Sequence, residues 1–214
     1  MVEIGNLFIL GDSYSTFAGY IPQGCAAWYD NDDDPKTDVH NVADTWWHQF
    51  TKESGGNLIL NSSYSGTTIC RTGYEGSDTT NICFVGRLEK LIKEGWFREN
   101  QIDTFMIFGG TNDNWANSPL GECIYSDWSE KDLYSVFPAL CYLLNRVKKT
   151  LPKAKVYFIL NTELKSEINE NFKNICAEYG VDLIELENIS KQNGHPDKEG
   201  MAQIKEQVLN FITK

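Results

Sequence analysis

The sequence has few basic residues for its length, and this shortage excludes several kinds of partner. It contains 19 Lys and Arg against 30 Asp and Glu among 214 residues, which gives a formal net charge of −11. Nucleic-acid phosphates and anionic lipid surfaces are bound by clustered Lys and Arg. We therefore expect no nucleic-acid partner and no membrane partner, whereas a neutral or cationic small molecule is compatible with this charge.

Long apolar runs are also missing. No uninterrupted run approaches the roughly 18 apolar residues that a membrane-spanning helix needs. The first residues, Met1-Val2-Glu3-Ile4-Gly5, lack the basic segment that opens a signal peptide. This predicts a cytoplasmic protein; a secreted or periplasmic location would require that a signal peptide had been removed.

The cysteines and histidines do not have the spacing of a metal site. No two cysteines form a Cys-x-x-Cys pair, and His40 and His48 have no obvious third ligand. Six cysteines in a chain of this length are too few for a disulfide scaffold, so most are expected to be small buried hydrophobic residues. The chain also lacks the G-x-G-x-x-G and Walker A patterns. We expect no metal and no cofactor. The cysteines are Cys25, Cys70, Cys83, Cys123, Cys141 and Cys176.

Short apolar runs alternate with amphipathic segments along the whole chain. Strands are predicted at 6–10, 57–61, 102–108, 154–160 and 181–185, and helices near 43–53, 80–94, 130–149, 165–179 and 197–212. Strands separated by helices form right-handed β-α-β units around a mainly parallel sheet. The chain length fits one α/β domain covering residues 1–214.

Two predicted connections are long and rich in aromatic residues. Such loops are usually functional or disordered, and aromatic-rich ones are less often disordered. Their aromatic side chains either wall a crevice at the strand ends or cover the edge of the sheet as additional core; both interpretations are open. The loops are 14–42, with Tyr20, Trp28 and Tyr29, and 113–129, with Trp115, Tyr125 and Trp128.

Four short motifs bring together the residue types needed for acyl transfer. Ligands of an open α/β sheet bind outside the carboxyl ends of the strands, where three of these motifs are predicted. A serine with a neighbouring base provides a nucleophile, and N–H groups stabilise the oxyanion that forms on attack. Each residue also has a local interpretation, as a turn cap, a turn or a surface histidine. The motifs are Gly11-Asp12-Ser13, Gly66, Gly110-Thr111-Asn112-Asp113 and His195-Pro196.

The histidine motif carries a further prediction. Pro196 is of a type favoured at the first position of a helix. We therefore expect His195 at a helix N-terminus, where the helix dipole favours the neutral imidazole that accepts a proton.

The four motifs, in this order and over nearly the whole chain, resemble those of the SGNH hydrolases, also called GDSL-type esterases or lipases. Gly11–Phe17 and Asn193–Pro196 are similar to a bacterial subgroup. The resemblance implies a three-layer α/β/α sandwich with a flavodoxin-like sheet. It further implies Ser13 as nucleophile and His195 as general base. Its oxyanion hole would consist of the backbone N–H groups of Ser13 and Gly66 and the side-chain amide of Asn112.

One position departs from the family pattern. The family usually has an aspartate three residues before the histidine, and this chain has Gln192 there. A backbone carbonyl near Gln192 is the first substitute for orienting His195, which would make a Ser–His dyad. Glu163 is the second. Asp197 and Glu199 are further candidates, although both suit the first turn of a helix.

The resemblance implies a serine ester hydrolase that removes short acyl groups, such as acetyl, from carbohydrates or other small esters. Trp115, Glu163 and Asp12 are candidate substrate-binding residues, and Asp12 is favoured as an anchor of its loop. The alternatives are a catalytically impaired glycan-binding protein, a lysophospholipase or thioesterase, and a flavodoxin-like binding protein.

Overall fold

A five-stranded parallel sheet forms the centre of the computed structural model, which describes residues 3–32 and 34–213. The strands lie in the order β2-β1-β3-β4-β5, and every neighbouring pair is parallel. The predicted mainly parallel sheet is confirmed. The strands are β1 (Asn6–Gly11), β2 (Asn57–Ser63), β3 (Thr104–Gly109), β4 (Lys155–Leu160) and β5 (Asp182–Glu185).

Helices cover both faces of the sheet, so the fold is the three-layer α/β/α sandwich. On one face α1 packs against α7, and on the other α5 packs against α2 and α6. The helices are α1 (Trp46–Ser54), α2 (Phe84–Lys93), α3 (Trp96–Glu99), α4 (Thr111–Trp115), α5 (Val136–Thr150), α6 (Ser166–Glu178) and α7 (Lys198–Ile212).

The central strand β3 shows why the strand sequences are continuous apolar runs. All six of its residues are buried, because helices cover both of its faces. Phe105 and Ile107 pack with the α2, α5 and α6 side chains, whereas Met106 and Phe108 pack with α1 and α7. Successive side chains of a strand point to opposite faces, so one strand serves both cores.

The helix predicted near 130–149 begins later than expected, at Val136. Pro138 lacks an N–H group and therefore cannot donate to the carbonyl of residue 134, as a helix begun near residue 130 would require. Leu133, which lies within the range predicted for this helix, is buried in a separate 3-10 turn, Asp132–Tyr134. The apolar spacing across 133–147 thus spans two elements.

A small hairpin near the C-terminus was not predicted. Strands β6 (Lys191–Gln192) and β7 (His195–Pro196) pair antiparallel around Asn193 and Gly194, whose φ angles are 51° and 76°. Asn-Gly is the preferred pair for a two-residue hairpin turn with positive φ at both positions. That signal was present in the sequence.

The start of α7 corrects the prediction for His195. The N-cap is Asp197, whose Oδ1 accepts a hydrogen bond from the Gly200 N–H at 2.8 Å. Pro196 therefore lies in β7 and is not the first helical residue. His195 precedes the cap by two residues, within the hairpin.

Each of the two long loops has both buried and exposed aromatic side chains. In 14–42, Tyr29 is fully buried in the core, whereas Tyr20 is 51% exposed. In 113–129, Trp128 packs against the core, and Trp115 is 44% exposed.

The six cysteines are free thiols, and four of them are buried. Within the two described ranges, no helix has the length and apolar character needed to cross a bilayer.

Candidate active site

Ser13 and His195 meet at the carboxyl end of the sheet. Ser13 begins a 3-10 turn directly after β1, and its Oγ lies 3.0 Å from His195 Nε2. Asp12 caps that turn by accepting a hydrogen bond from the Tyr14 N–H, so Ser13 does not act as the cap. The serine hydroxyl thus faces a base at hydrogen-bond distance, although the two residues are 182 positions apart.

The other imidazole nitrogen faces a backbone carbonyl. His195 Nδ1 lies 3.2 Å from the Asn193 oxygen, which lies in the tight turn of the β6–β7 hairpin. With Nδ1–H donating to this carbonyl, Nε2 is the unprotonated nitrogen that can accept the Ser13 proton. The structure thus places a Ser–His pair with a carbonyl at the position where other enzymes have a carboxylate.

Two buried tyrosines fasten the histidine segment to the first loop. The Tyr14 hydroxyl donates to the Gly194 carbonyl at 2.6 Å, and the Tyr29 hydroxyl donates to the Pro196 carbonyl at 2.8 Å. The side chain of Gln192, at the position of the family's aspartate, donates to the Pro35 carbonyl instead. These contacts hold the backbone on both sides of His195.

Trp28 lies flat on the His195 ring. The ring centroids are 3.6 Å apart and the planes differ by 7°. Trp115 approaches the same imidazole with its ring tilted by 66° at 5.6 Å. The imidazole is 93% shielded as a result: only 7% of the residue is exposed.

Burial, together with smaller effects of the nearby ammonium groups of Lys191 and Lys36, lowers the pKa of His195 to about 4, while the Asn193 carbonyl acts in the opposite direction. A histidine with this pKa is neutral at pH 7 and is therefore available as a proton acceptor. The cause is desolvation within the hairpin, not the helix dipole suggested by the sequence.

Asn112 presents a free amide donor. It lies in the first turn of α4, is buried, and accepts a hydrogen bond from the Tyr74 hydroxyl at its Oδ1, at 2.8 Å. Its Nδ2 has no hydrogen-bond partner among the described residues. A buried donor without an acceptor is costly, and such groups in native proteins call for a functional explanation. The arrangement suits an amide that donates to a substrate atom.

Gly66 has backbone conformation and space that suit an N–H donor. Its φ is +77°, and an added Cβ would meet open space. The absence of a side chain leaves room for a substrate to approach the backbone.

Arg87 of α2 forms hydrogen bonds that hold the loop containing Gly66 in place. Its buried guanidinium donates to the Gly11 carbonyl at 3.0 Å, to Thr67 Oγ1 at 3.2 Å, and to the Ser62 carbonyl. One side chain therefore connects the ends of β1 and β2 with the residue next to Gly66. This role of Arg87 was not predicted from the sequence, although a charged residue on the apolar face of a predicted helix was a signal for it.

Two buried aspartates fix the loops around the site. Asp113 accepts hydrogen bonds from the backbone N–H groups of Ile69 and Cys70, and burial raises its pKa to about 6. Burial also raises the pKa of Asp12 to about 7. Asp12 has no exposed surface, so its side chain anchors the loop and does not reach a substrate.

Glu163 pairs with Lys191, whereas the ring nitrogens of His195 face Asn193 and Ser13. Its side chain is 78% exposed and its Oε2 pairs with Lys191 Nζ at 2.8 Å. It therefore does not replace the missing aspartate, although it lies beside the hairpin that carries the histidine.

We expect Glu163→Gln to change kcat by less than threefold. An orienting carboxylate of a catalytic triad is worth up to about 10⁴ in kcat, whereas an exposed ion pair contributes about 0–1 kcal/mol to stability. Steady-state kinetics on a small ester measures this effect, and Glu167→Gln, in the first turn of α6, is the control. A fall of more than a hundredfold would return the orienting role to Glu163.

Comparison with known families identifies the chain. The model of the GDSL-like lipase/acylhydrolase family matches residues 5–212. The chain belongs to this family. The resemblance recognised from the sequence motifs is thereby confirmed, and the protein is an ester hydrolase. No curated protein matches the chain in sequence.

Two crystal structures of Bacteroides proteins assigned to the GDSL-like lipases are similar over almost the full length. The protein from Bacteroides ovatus is 44% identical, with a TM-score of 0.91 and 97% of each chain covered. The protein from Bacteroides uniformis is 41% identical, with a TM-score of 0.90, and the match covers 97% of this chain and 95% of that one.

A more distant structure shares the fold alone. It is a family two carbohydrate esterase from Clostridium thermocellum in complex with cellohexaose. It is 16% identical, with a TM-score of 0.66, and the match covers 97% of this chain and 63% of the esterase.

Proposed function

We propose that this GDSL-family protein hydrolyses esters through an acyl-Ser13 intermediate, with His195 as the general base. The observation that carries the proposal is the 3.0 Å separation of Ser13 Oγ and His195 Nε2, together with the engagement of Nδ1 by the Asn193 carbonyl. This arrangement sets the tautomer that activates a serine hydroxyl.

In the first step, Ser13 Oγ bonds to the ester carbonyl carbon and its proton passes to His195 Nε2. The π electrons of the carbonyl move onto its oxygen. The carbonyl then re-forms, the bond to the alcohol breaks, and the alcohol leaves with the proton from Nε2. Water attacks the acyl group in the same way, its proton passes through Nε2 to Ser13 Oγ, and the acid is released.

The oxyanion formed in both steps requires preorganised donors. We assign this role to the backbone N–H groups of Ser13 and Gly66 and to Asn112 Nδ2, the amide that has no partner within the described part of the chain. Tyr74 holds the amide in the required orientation through Asn112 Oδ1. Donors fixed before the reaction cost no reorganisation when charge develops.

The substrate class we propose is a carbohydrate carrying short acyl groups, such as acetyl. Trp115 and Tyr74, both attached to catalytic-site elements, are 44% and 41% exposed. Flat aromatic faces of this kind suit the apolar faces of sugar rings. The distant fold relative with bound cellohexaose is consistent with this class.

Two measurements test the proposal. We expect the wild type to hydrolyse p-nitrophenyl acetate faster than p-nitrophenyl octanoate and to release acetate from acetylated xylo-oligosaccharides. A fluorophosphonate should label the enzyme once, on the peptide containing Ser13, as found by mass spectrometry. Hydrolysis no faster than that by free imidazole, without labelling, would contradict the proposal and make glycan binding the next assay.

A further inference from the structure

The stack of Trp28 on His195 has a geometry that is unusual for two neutral rings. The centroid distance of 3.6 Å and the 7° angle describe an almost parallel, face-to-face pair. The other aromatic residues near this imidazole are tilted or edge-on: Tyr14 at 57°, Trp115 at 66° and Tyr29 at 80°. The indole of Trp28 thus lies parallel to the imidazole, whereas the other three rings are inclined to it.

The face of an indole attracts cations more strongly than it attracts a neutral ring. Neutral aromatic pairs prefer offset or edge-to-face arrangements, because the negative faces of both rings repel each other in a sandwich. A cation within about 6 Å of an indole centroid is attracted by the same face, and tryptophan is the best of the aromatic side chains in this respect. The observed geometry therefore favours the protonated imidazole over the neutral one.

We propose that the Trp28 indole stabilises the imidazolium form of His195 during acyl transfer, the electrostatic role that a triad carboxylate has in other serine hydrolases. The inference rests on the proposed function. In the step concerned, the Ser13 proton arrives at Nε2 while the Oγ–carbon bond forms, and the ring carries a full positive charge until the proton passes to the leaving alcohol.

The other groups around the ring do not supply a counter-charge. Nδ1 faces the Asn193 carbonyl, which is a dipole. Two ammonium groups, those of Lys191 and Lys36, oppose protonation. Each of these lysines is itself paired with carboxylates: Lys191 with Glu163, and Lys36 with Asp34 and Asp30.

The neighbouring hydroxyls of Tyr14 and Tyr29 are neutral and donate to the backbone of the hairpin. The group left to stabilise a positive charge on the imidazole is therefore the face of the Trp28 indole.

The position of the indole is itself set by packing. The backbone N–H of Trp28 donates to Thr16 Oγ1 at 2.9 Å, whereas its indole N–H has no partner among the residues described. No hydrogen bond of the indole N–H therefore holds the ring, which stacks on His195, packs against the core and has the Lys36 ammonium 5.6 Å from its centroid. This is why a smaller aromatic ring should keep part of the interaction and an aliphatic side chain should lose it.

The direct test is an NMR titration of the His195 ring in the wild type, Trp28→Leu, Trp28→Phe and Trp115→Leu, with His195→Ala used to assign the signal. We expect Trp28→Leu to lower the pKa of His195 by about one, because the cation–π attraction is lost. Trp28→Phe should keep most of the wild-type value, and Trp115→Leu, which removes shielding but no parallel ring, should not lower the pKa. Circular dichroism at each pH confirms that the native fold is compared.

Kinetics on p-nitrophenyl acetate at pH 7 provides the second readout. We expect Trp28→Leu to lower kcat roughly tenfold with little change in KM, because the stabilised charge exists only in the transition state. Trp28→Phe should recover most of the loss. A structural disturbance of the hairpin would lower both variants alike.

Either of two results would overturn the inference. A higher His195 pKa in Trp28→Leu would show that the indole acts by excluding water, and equal losses of kcat in the Leu and Phe variants would show that ring electrostatics has no part. The titration needs no turnover, so an inactive wild type would count against the proposed function while the effect of Trp28 on the imidazole could still be measured.

Discussion

Ser13→Ala is expected to lower kcat for ester hydrolysis by about a millionfold, the scale of nucleophile removal in serine proteases. The hydroxyl of Ser13 is the group that would form the acyl bond, and it faces His195 Nε2 at 3.0 Å. Substrate binding does not use the hydroxyl, so the variant should still bind an acetylated oligosaccharide. Stopped-assay kinetics with p-nitrophenyl acetate, with circular dichroism as the check of folding, measures the loss.

Ser15→Ala is the matched control for this substitution. Ser15 lies in the same 3-10 turn and is also buried, but its Oγ accepts a hydrogen bond from Trp46 Nε1 at 3.2 Å. We expect Ser15→Ala to remain within a few-fold of wild-type activity. Equal rates in Ser13→Ala and Ser15→Ala would remove Ser13 as the nucleophile.

When two catalytic groups act together in one step, the losses of kcat from removing each of them do not add. A double variant of Ser13 and His195 therefore tests whether the two residues act together. His195→Ala should cost nearly as much as Ser13→Ala, and the double variant no more than either single one. Losses that multiply in the double variant would mean that the two residues act independently.

Asn112→Ala is expected to lower kcat by roughly 10²–10³ with KM nearly unchanged. The amide Nδ2 is buried and without an acceptor in the described structure, so its hydrogen bond is available for the oxyanion of the transition state. A donor engaged only in the transition state affects kcat and not ground-state binding.

The same observation predicts the effect on stability. Leaving a buried donor unsatisfied costs about 1–3 kcal/mol, so Asn112→Ala should be no less stable than the wild type despite its loss of activity. Thermal unfolding of both proteins provides the comparison. An Asn112→Ala variant that keeps full kcat, or that loses kcat only because it unfolds, would exclude the amide from the oxyanion hole.

Tyr74→Phe is the companion variant. It keeps the ring and removes the hydroxyl that donates to Asn112 Oδ1 at 2.8 Å. We expect a smaller loss of kcat than in Asn112→Ala, because the amide remains but is less firmly oriented.

The active-site motifs could be found from the sequence because they are local. Ser13 follows an apolar strand, Asn112 follows β3 after a glycine pair, and each lies at a strand end that a parallel sheet brings to one edge. The alternation of strands and helices predicted a mainly parallel sheet but not the order of its strands. That order could not be predicted because the alternation does not determine which strands are neighbours.

The environment of His195 could not be predicted in the same way. Its Asn-Gly turn was visible in the sequence, yet only the folded hairpin places the Asn193 carbonyl against Nδ1. The partners Trp28 and Tyr14 come from a loop about 180 residues earlier, and no periodicity connects residues so far apart.

The sequence by itself determined the α/β class, the family and the residues able to carry out acyl transfer, because these depend on side-chain chemistry and on the local spacing of apolar residues. The tertiary structure decided what surrounds those residues: a carbonyl at His195 Nδ1, an indole stacked on the imidazole, a buried arginine that contacts the loop containing Gly66, and an amide left without an acceptor among the described residues. These depend on contacts between distant segments, which form only when the cores on both faces of the sheet are packed.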